Sequence, residues 1–127
     1  MASSLIIVIA ALASVAISWL YTTRCYGIAI DVSGSQFNFE FDPAFKTLRK
    51  GCFGLNNIYH VVYFDNDIIK EIVTTKFSDI RAPTKFCGGS DIEKALTRFT
   101  VLKTKKIFVL SDGFFDSNTE VKYTLIS

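Results

Sequence analysis

Tyr26-Gly27-Ile28-Ala29-Ile30-Asp31-Val32-Ser33-Gly34-Ser35 is the stretch that decides the fold of this chain. Tyr26 to Val32 reads as a strand, and its near-continuous apolar run is the pattern of a strand covered on both faces. The run closes on a carboxylate and two hydroxyls spaced two residues apart, Asp31, Ser33 and Ser35. Carried on a loop, these are hard oxygen ligands. Mg²⁺ takes such oxygens in a near-octahedral array and keeps waters in the remaining positions.

Beyond this strand, Phe41 to Lys50 predicts a helix, with Asp42 as its cap, Pro43 at the first helical position and Gly51 or Gly54 closing it. Ile58 to Phe64 is a second buried strand. The Asp65-Asn66-Asp67 turn then leads to a third strand, Ile68 to Val73, as a hairpin partner at the sheet's edge. Pro83 marks Thr74 to Phe86 as loop. Gly88-Gly89-Ser90-Asp91 introduces a helix over Ile92 to Phe99, whose apolar residues fall at helical spacing. Ile107-Phe108-Val109-Leu110 is a further buried strand ending at Ser111-Asp112-Gly113, and Val121 to Ile126 alternates as a last strand. The sum is an α/β chain, a mostly parallel Rossmann-like sheet with helices on both faces. Ligands of such sheets collect outside the carboxyl ends of the strands, where Asp31 and Asp112 fall and where Ser90 opens its loop.

Three segments thus stand in order: Asp31-x-Ser33-x-Ser35, Gly88-Gly89-Ser90-Asp91 and Leu110-Ser111-Asp112-Gly113. The ordered triple resembles the metal-ion-dependent adhesion site of von Willebrand factor A (VWA) domains. Ser90 stands where the family usually has Thr, which keeps the hydroxyl. The resemblance spans residues 26 to 127 and lacks the last helices and strand of a full member, so a shortened VWA-like domain is expected over 25–127. It implies a bound Mg²⁺, with Mn²⁺ able to substitute. Ser33 and Ser35 would be direct ligands, Ser90 direct or through water, and Asp31 and Asp112 mainly through water. It also implies a protein partner whose Asp or Glu takes the open metal position.

Residues 1–24 form a separate unit. The first 23 residues carry no charge, and Leu5 to Tyr21 approaches the length of a membrane-crossing helix. Trp19 and Tyr21 close it and Arg24 follows, the order expected at a membrane–water boundary. A signal peptide would carry a basic leader, and a helix apolar on every side would need a large surround to be buried. The expectation is therefore a single-pass membrane anchor. The basic residues after the span place the domain on the cytoplasmic side.

Other features are bland. The net charge of +2 gives no electrostatic case for nucleic acid. Cys25, Cys52 and Cys87 form neither a disulfide framework nor a zinc motif, and Cys52 and Cys87 are expected as small buried residues. His60, the single histidine, lies in a strand without a nucleophile beside it, so no enzyme is predicted. Metal-dependent hydrolysis of the phosphatase kind would need a second Asp where Ser33 stands. Phe37, Phe39 and Phe41, with Phe114 and Phe115, are either core or an apolar rim of the metal loop. The rival functional reading is a structural subunit of a larger membrane or virion assembly that keeps the fold without the metal.

Overall fold

The computed structural model describes residues 2–102, 104, 106–113 and 121–127. An apolar helix, α1 (Ala2–Tyr21), precedes β1 (Arg24–Asp31), α2 (Phe41–Gly51), β2 (Asn57–Phe64) and β3 (Ile68–Thr74). Then come α3 (Glu93–Val101), β4 (Lys106–Leu110) and β5 (Thr124–Ile126). The sheet order is β3-β2-β1-β4-β5. β1 lies between two parallel neighbours, β2 and β4, β5 adds in parallel, and only β3 runs antiparallel, as the hairpin partner of β2. This is the mostly parallel α/β sheet that the sequence predicts.

Strand residues alternate between two cores because successive side chains point to opposite faces. Tyr26, Ile28, Ile30 and Val32 meet Ala44 and Leu48 of α2 on one face. Ala29, Val62, Phe64 and Val109 meet Ala95, Leu96 and Phe99 of α3 on the other. The two helices thus cover opposite faces, which explains why β1 is apolar at every position between Tyr26 and Ile30. α3 comes so close that a Cβ on Gly27 would lie 2.9 Å from the Phe99 ring.

Several local expectations need correction, among them the last strand, which covers Thr124–Ile126 rather than Val121 to Ile126. Asp42 does not cap α2: the helix begins at Phe41 with Glu40 in the capping place, and Asp42 lies in the first turn. There its charge still favours the positive end of the helix dipole. At α3 the cap is Asp91, whose Oδ1 accepts the Glu93 N–H at 3.0 Å, with Ile92 already in helical conformation. Cys87 is exposed rather than buried and Cys52 is half-buried; Cys87 sits on a loop whose backbone, not its thiol, faces the domain.

The α1 helix contributes to neither core. Ser4–Tyr21 has a mean hydropathy of 2.2 and none of it is buried. Among the described residues, its last turn is what is fastened: Leu55 N–H donates to Leu20 O at 2.9 Å, and Asn56 Nδ2 donates to Tyr21 O at 3.3 Å and Thr23 Oγ1 at 2.7 Å.

Candidate metal centre

The carboxyl ends of β1 and β4 and the loop before α3 come together on one side chain. Asp31 is fully buried. Its Oδ1 accepts the Ser33 backbone N–H at 2.9 Å, which closes a local turn. Its Oδ2 accepts two hydroxyls from far along the chain, Ser90 at 2.9 Å and Ser111 at 2.7 Å. Backbone bonds support the junction: Gly34 N–H donates to Gly88 O at 3.2 Å and Cys87 N–H to Val32 O at 3.1 Å. Gly88 adopts a positive φ of 84°, and a Cβ there would press on the Asp65 carboxylate at 2.9 Å. A glycine serves that turn without strain.

Ser33 and Ser35 follow on the same loop, with their Oγ atoms 3.1 Å apart. Neighbouring ligands of an octahedral Mg²⁺ site, with bonds of about 2.0–2.1 Å, stand about 2.9 Å from each other. The spacing of the two hydroxyls therefore suits adjacent positions on one small cation. Gln36, also fully buried, holds the arrangement from below. Its Nε2 donates to Ser35 Oγ at 2.9 Å and its Oε1 accepts the Asp112 N–H at 3.0 Å, so the amide links the β1 loop to the β4 loop.

The charge balance of the site favours a cation. The bonds to Asp31 all come from neutral donors, and among the described residues it has no ion pair. A buried carboxylate so placed is costly unless a positive charge lies near. Among the described residues no three Asp, Glu, His or Cys side chains cluster as a metal cage. The oxygens gathered here are mostly hydroxyls, and the donor set fits a hard divalent ion that keeps waters. Beside it opens a cleft of about 450 Å³, lined by Ser35, Asn38, Phe39, Glu40, Ala44 and Asp112 among others, with no basic residue among the described residues of its wall.

Of the predicted site residues, Asp31 and Ser90 meet directly, Ser33 and Ser35 meet directly, and Asp112 is joined to Ser35 through Gln36. Two members were not singled out from the sequence. Ser111 sits inside the quoted Leu110-Ser111-Asp112-Gly113 segment, and its place just before the Asp was the available signal. Gln36 carried none, since a loop amide has no spacing to betray it. Phe39 and Phe41 pack edge to face with centroids 4.8 Å apart; Phe41 belongs to the α2 core, while Phe39 is partly buried against it and also lines the cleft. The Phe37 side chain, Phe114 and Phe115 lie outside the described part, as do Lys103 and Lys105. His60 is engaged by Glu71 and set edge-on to Phe99, and its register partner on β1 is Gly27. Gly27 precedes Asp31 by about 13 Å of strand.

The chain is similar to the crystal structure of the ArnB paralog VWA2 from Sulfolobus acidocaldarius, at 21% identity and a TM-score of 0.53. The alignment covers 80% of this chain and 33% of that one. The fold is VWA-like. A second likeness is to proximal thread matrix protein 1 of the mussel byssus, at 15% identity and a TM-score of 0.50, covering 79% of this chain and 30% of that one. The VWA-like chain therefore spans about a third of the length of either structure. No family model matches it, and none of the curated proteins does.

Proposed function

We propose that the chain is a membrane-anchored, Mg²⁺-dependent protein-binding module. In this reading residues 1–24 are the anchor and 25–127 the VWA-like domain. Ser33, Ser35 and Ser90 hold the ion by their hydroxyls, and Asp31 and Asp112 balance its charge. The observation that carries the reading is the convergence of Ser90, Ser111 and the Ser33 N–H on the single buried carboxylate of Asp31. A bound Mg²⁺ supplies an electrophilic position that an Asp or Glu of a partner can fill. The chain's own residues do the rest. Asp31 draws the Ser90 and Ser111 protons toward itself and leaves the hydroxyl lone pairs facing outward. Gln36 fixes the distance between the loops, and the adjoining cleft receives the residues that flank the partner's acid.

Mn²⁺ titration of the detergent-solubilised full chain, read by electron paramagnetic resonance, tests the metal. The expectation is one site, weakened about 10–100-fold by Asp112→Ala and also weakened by Ser35→Ala, with Mg²⁺ competing. A chain that binds no Mn²⁺, or binds it equally well in both variants, overturns the proposal. Retention of partner proteins from a membrane extract should then disappear with EDTA. The apolar α1, none of whose Ser4–Tyr21 stretch is buried, favours a second reading, a subunit packed among neighbours in a larger assembly. A stable lone monomer after detergent extraction counts against it.

A further inference from the structure

The two ends of the sheet differ in chemistry. At the carboxyl end of the parallel strands stand Asp31, the last residue of β1, and Asp65, Asp67, Asp91 and Asp112 on loops leaving β2 or β4 or entering α3. At the amino end, where α1 joins, the loop from α2 to β2 reads Cys52-Phe53-Gly54-Leu55-Asn56 and carries no charge. Lys50 precedes it, and Arg24 and Lys106 begin β1 and β4. Phe53 is 42% exposed and Leu55 65% exposed. Val101 and Leu102, at the α3 end that leads into β4, are exposed as well.

Arg24 binds this loop to the end of α1. Its Nη2 donates to Trp19 O at 2.8 Å and its Nη1 to Thr22 O at 3.1 Å, so the guanidinium caps carbonyls that the helix end leaves open. The same group lies 5.2 Å from the Trp19 ring centroid and 4.9 Å from that of Phe53, while those two rings are 4.4 Å apart. Gly54 has a φ of 107°, and a Cβ there would strike Arg24 Nη1 at 2.5 Å, so the loop is shaped to admit the guanidinium. An arginine set against a pair of touching aromatic rings at the end of an apolar helix is an arrangement that suits a lipid headgroup layer.

From these observations we infer that the 52–56 loop is a second membrane contact, seated in the headgroup layer beside α1. The loop holds the amino end of the sheet against the bilayer and turns the acidic, hydroxyl-rich end away from it. The inference rests on the anchor reading of α1. Its occupant is lipid rather than protein because the exposed Phe53 and Leu55 are continuous with the apolar helix through Trp19. Basic rather than acidic residues flank them, as contact with an anionic surface requires.

Trp19 is the single tryptophan, so Trp19→Phe provides a silent background for one new probe at a time. Leu12→Trp, Leu55→Trp and Ile69→Trp place it in mid-helix, in the loop and at the far end of the sheet, each at an exposed position. The full chain is reconstituted into phosphatidylcholine–phosphatidylglycerol vesicles with acyl chains brominated either near the headgroup or near the bilayer centre. The expected result is loss of fluorescence at position 12 with deep bromine, at 55 with shallow bromine, and at 69 with neither. If 55 stays as bright as 69 while 12 is quenched, the helix is embedded but the loop is off the bilayer, and the inference falls alone. A blue-shifted but unquenched signal at 55 overturns it in favour of a second copy or another protein on the patch. Absence of quenching at 12 overturns the anchor reading and the inference together.

Discussion

Asp31 has a structural task that is separate from the metal role proposed for it. Its oxygens hold the Ser33 N–H and the hydroxyls of Ser90 and Ser111 whether or not an ion is near. Ser111 is fully buried, so an alanine at 31 leaves its hydroxyl without that acceptor or access to water. Asp31→Ala should therefore cost about 1–3 kcal/mol of stability, with Asp31→Asn costing less because one carbonyl oxygen remains; urea unfolding followed by circular dichroism measures both. This is why Asp112 and Ser35, half-buried and exposed, are the cleaner positions for testing metal binding. Legibility at this scale followed chemistry. Asp31, Ser33, Ser35, Ser90 and Asp112 were readable as an oxygen constellation because their spacing repeats a recognisable order. Gln36 was not, because its role depends on two loops meeting in space. Cys87 was misread because a thiol's burial on an irregular loop is decided by backbone direction, which no local pattern reports.

At the scale of elements, the approach of α3 to β1 is set by a glycine. The Phe99 ring lies over Gly27, and an added Cβ would meet its ring atoms at 2.9 to 3.1 Å. Both partners sit in regular structure, so neither moves away cheaply. Gly27→Ala should lower stability by about 1–3 kcal/mol through overpacking. Gly34→Ala, whose Cβ would come no nearer than 3.9 Å to another atom, should be nearly neutral. Melting temperatures of the two variants make the comparison, and equal losses would refute it. The strands and helices themselves were legible because a buried parallel strand and a helix face carry different periodicities. Helix starts were nearly so: α2 and α3 both begin within one residue of expectation, but Asp42, expected to cap α2, lies inside its first turn. The short 3₁₀ turns at Gly34–Asn38 and Phe77–Asp79 had no apolar period to reveal them.

For the molecule as a whole, one contribution to acid stability comes from the edge of the sheet. Glu71 on β3 accepts from Arg98 Nε of α3 at 2.8 Å and pairs with His60 of β2, so one carboxylate ties three elements. The Arg98 hydrogen bond, with a smaller contribution from His60, holds its carboxyl below the ordinary value of 4.5. A carboxyl depressed in the folded state adds stability that is complete above that value and drains away as pH falls through the folded one. Urea unfolding should thus show the native chain weakening below about pH 4.5, and Glu71→Gln should remove that part of the decline. Parallel slopes for the two proteins would disprove the assignment.

The central strand has one more consequence. β1 begins at the arginine that grips the apolar helix and ends at the aspartate that gathers the loops, and it is zipped to a parallel neighbour on each side. A tug between a lipid-held tether and a captured ligand would run lengthwise along this strand. On the proposed reading, that tension is carried by the covalent backbone of β1 itself, and the ladders on either side only keep the strand in place.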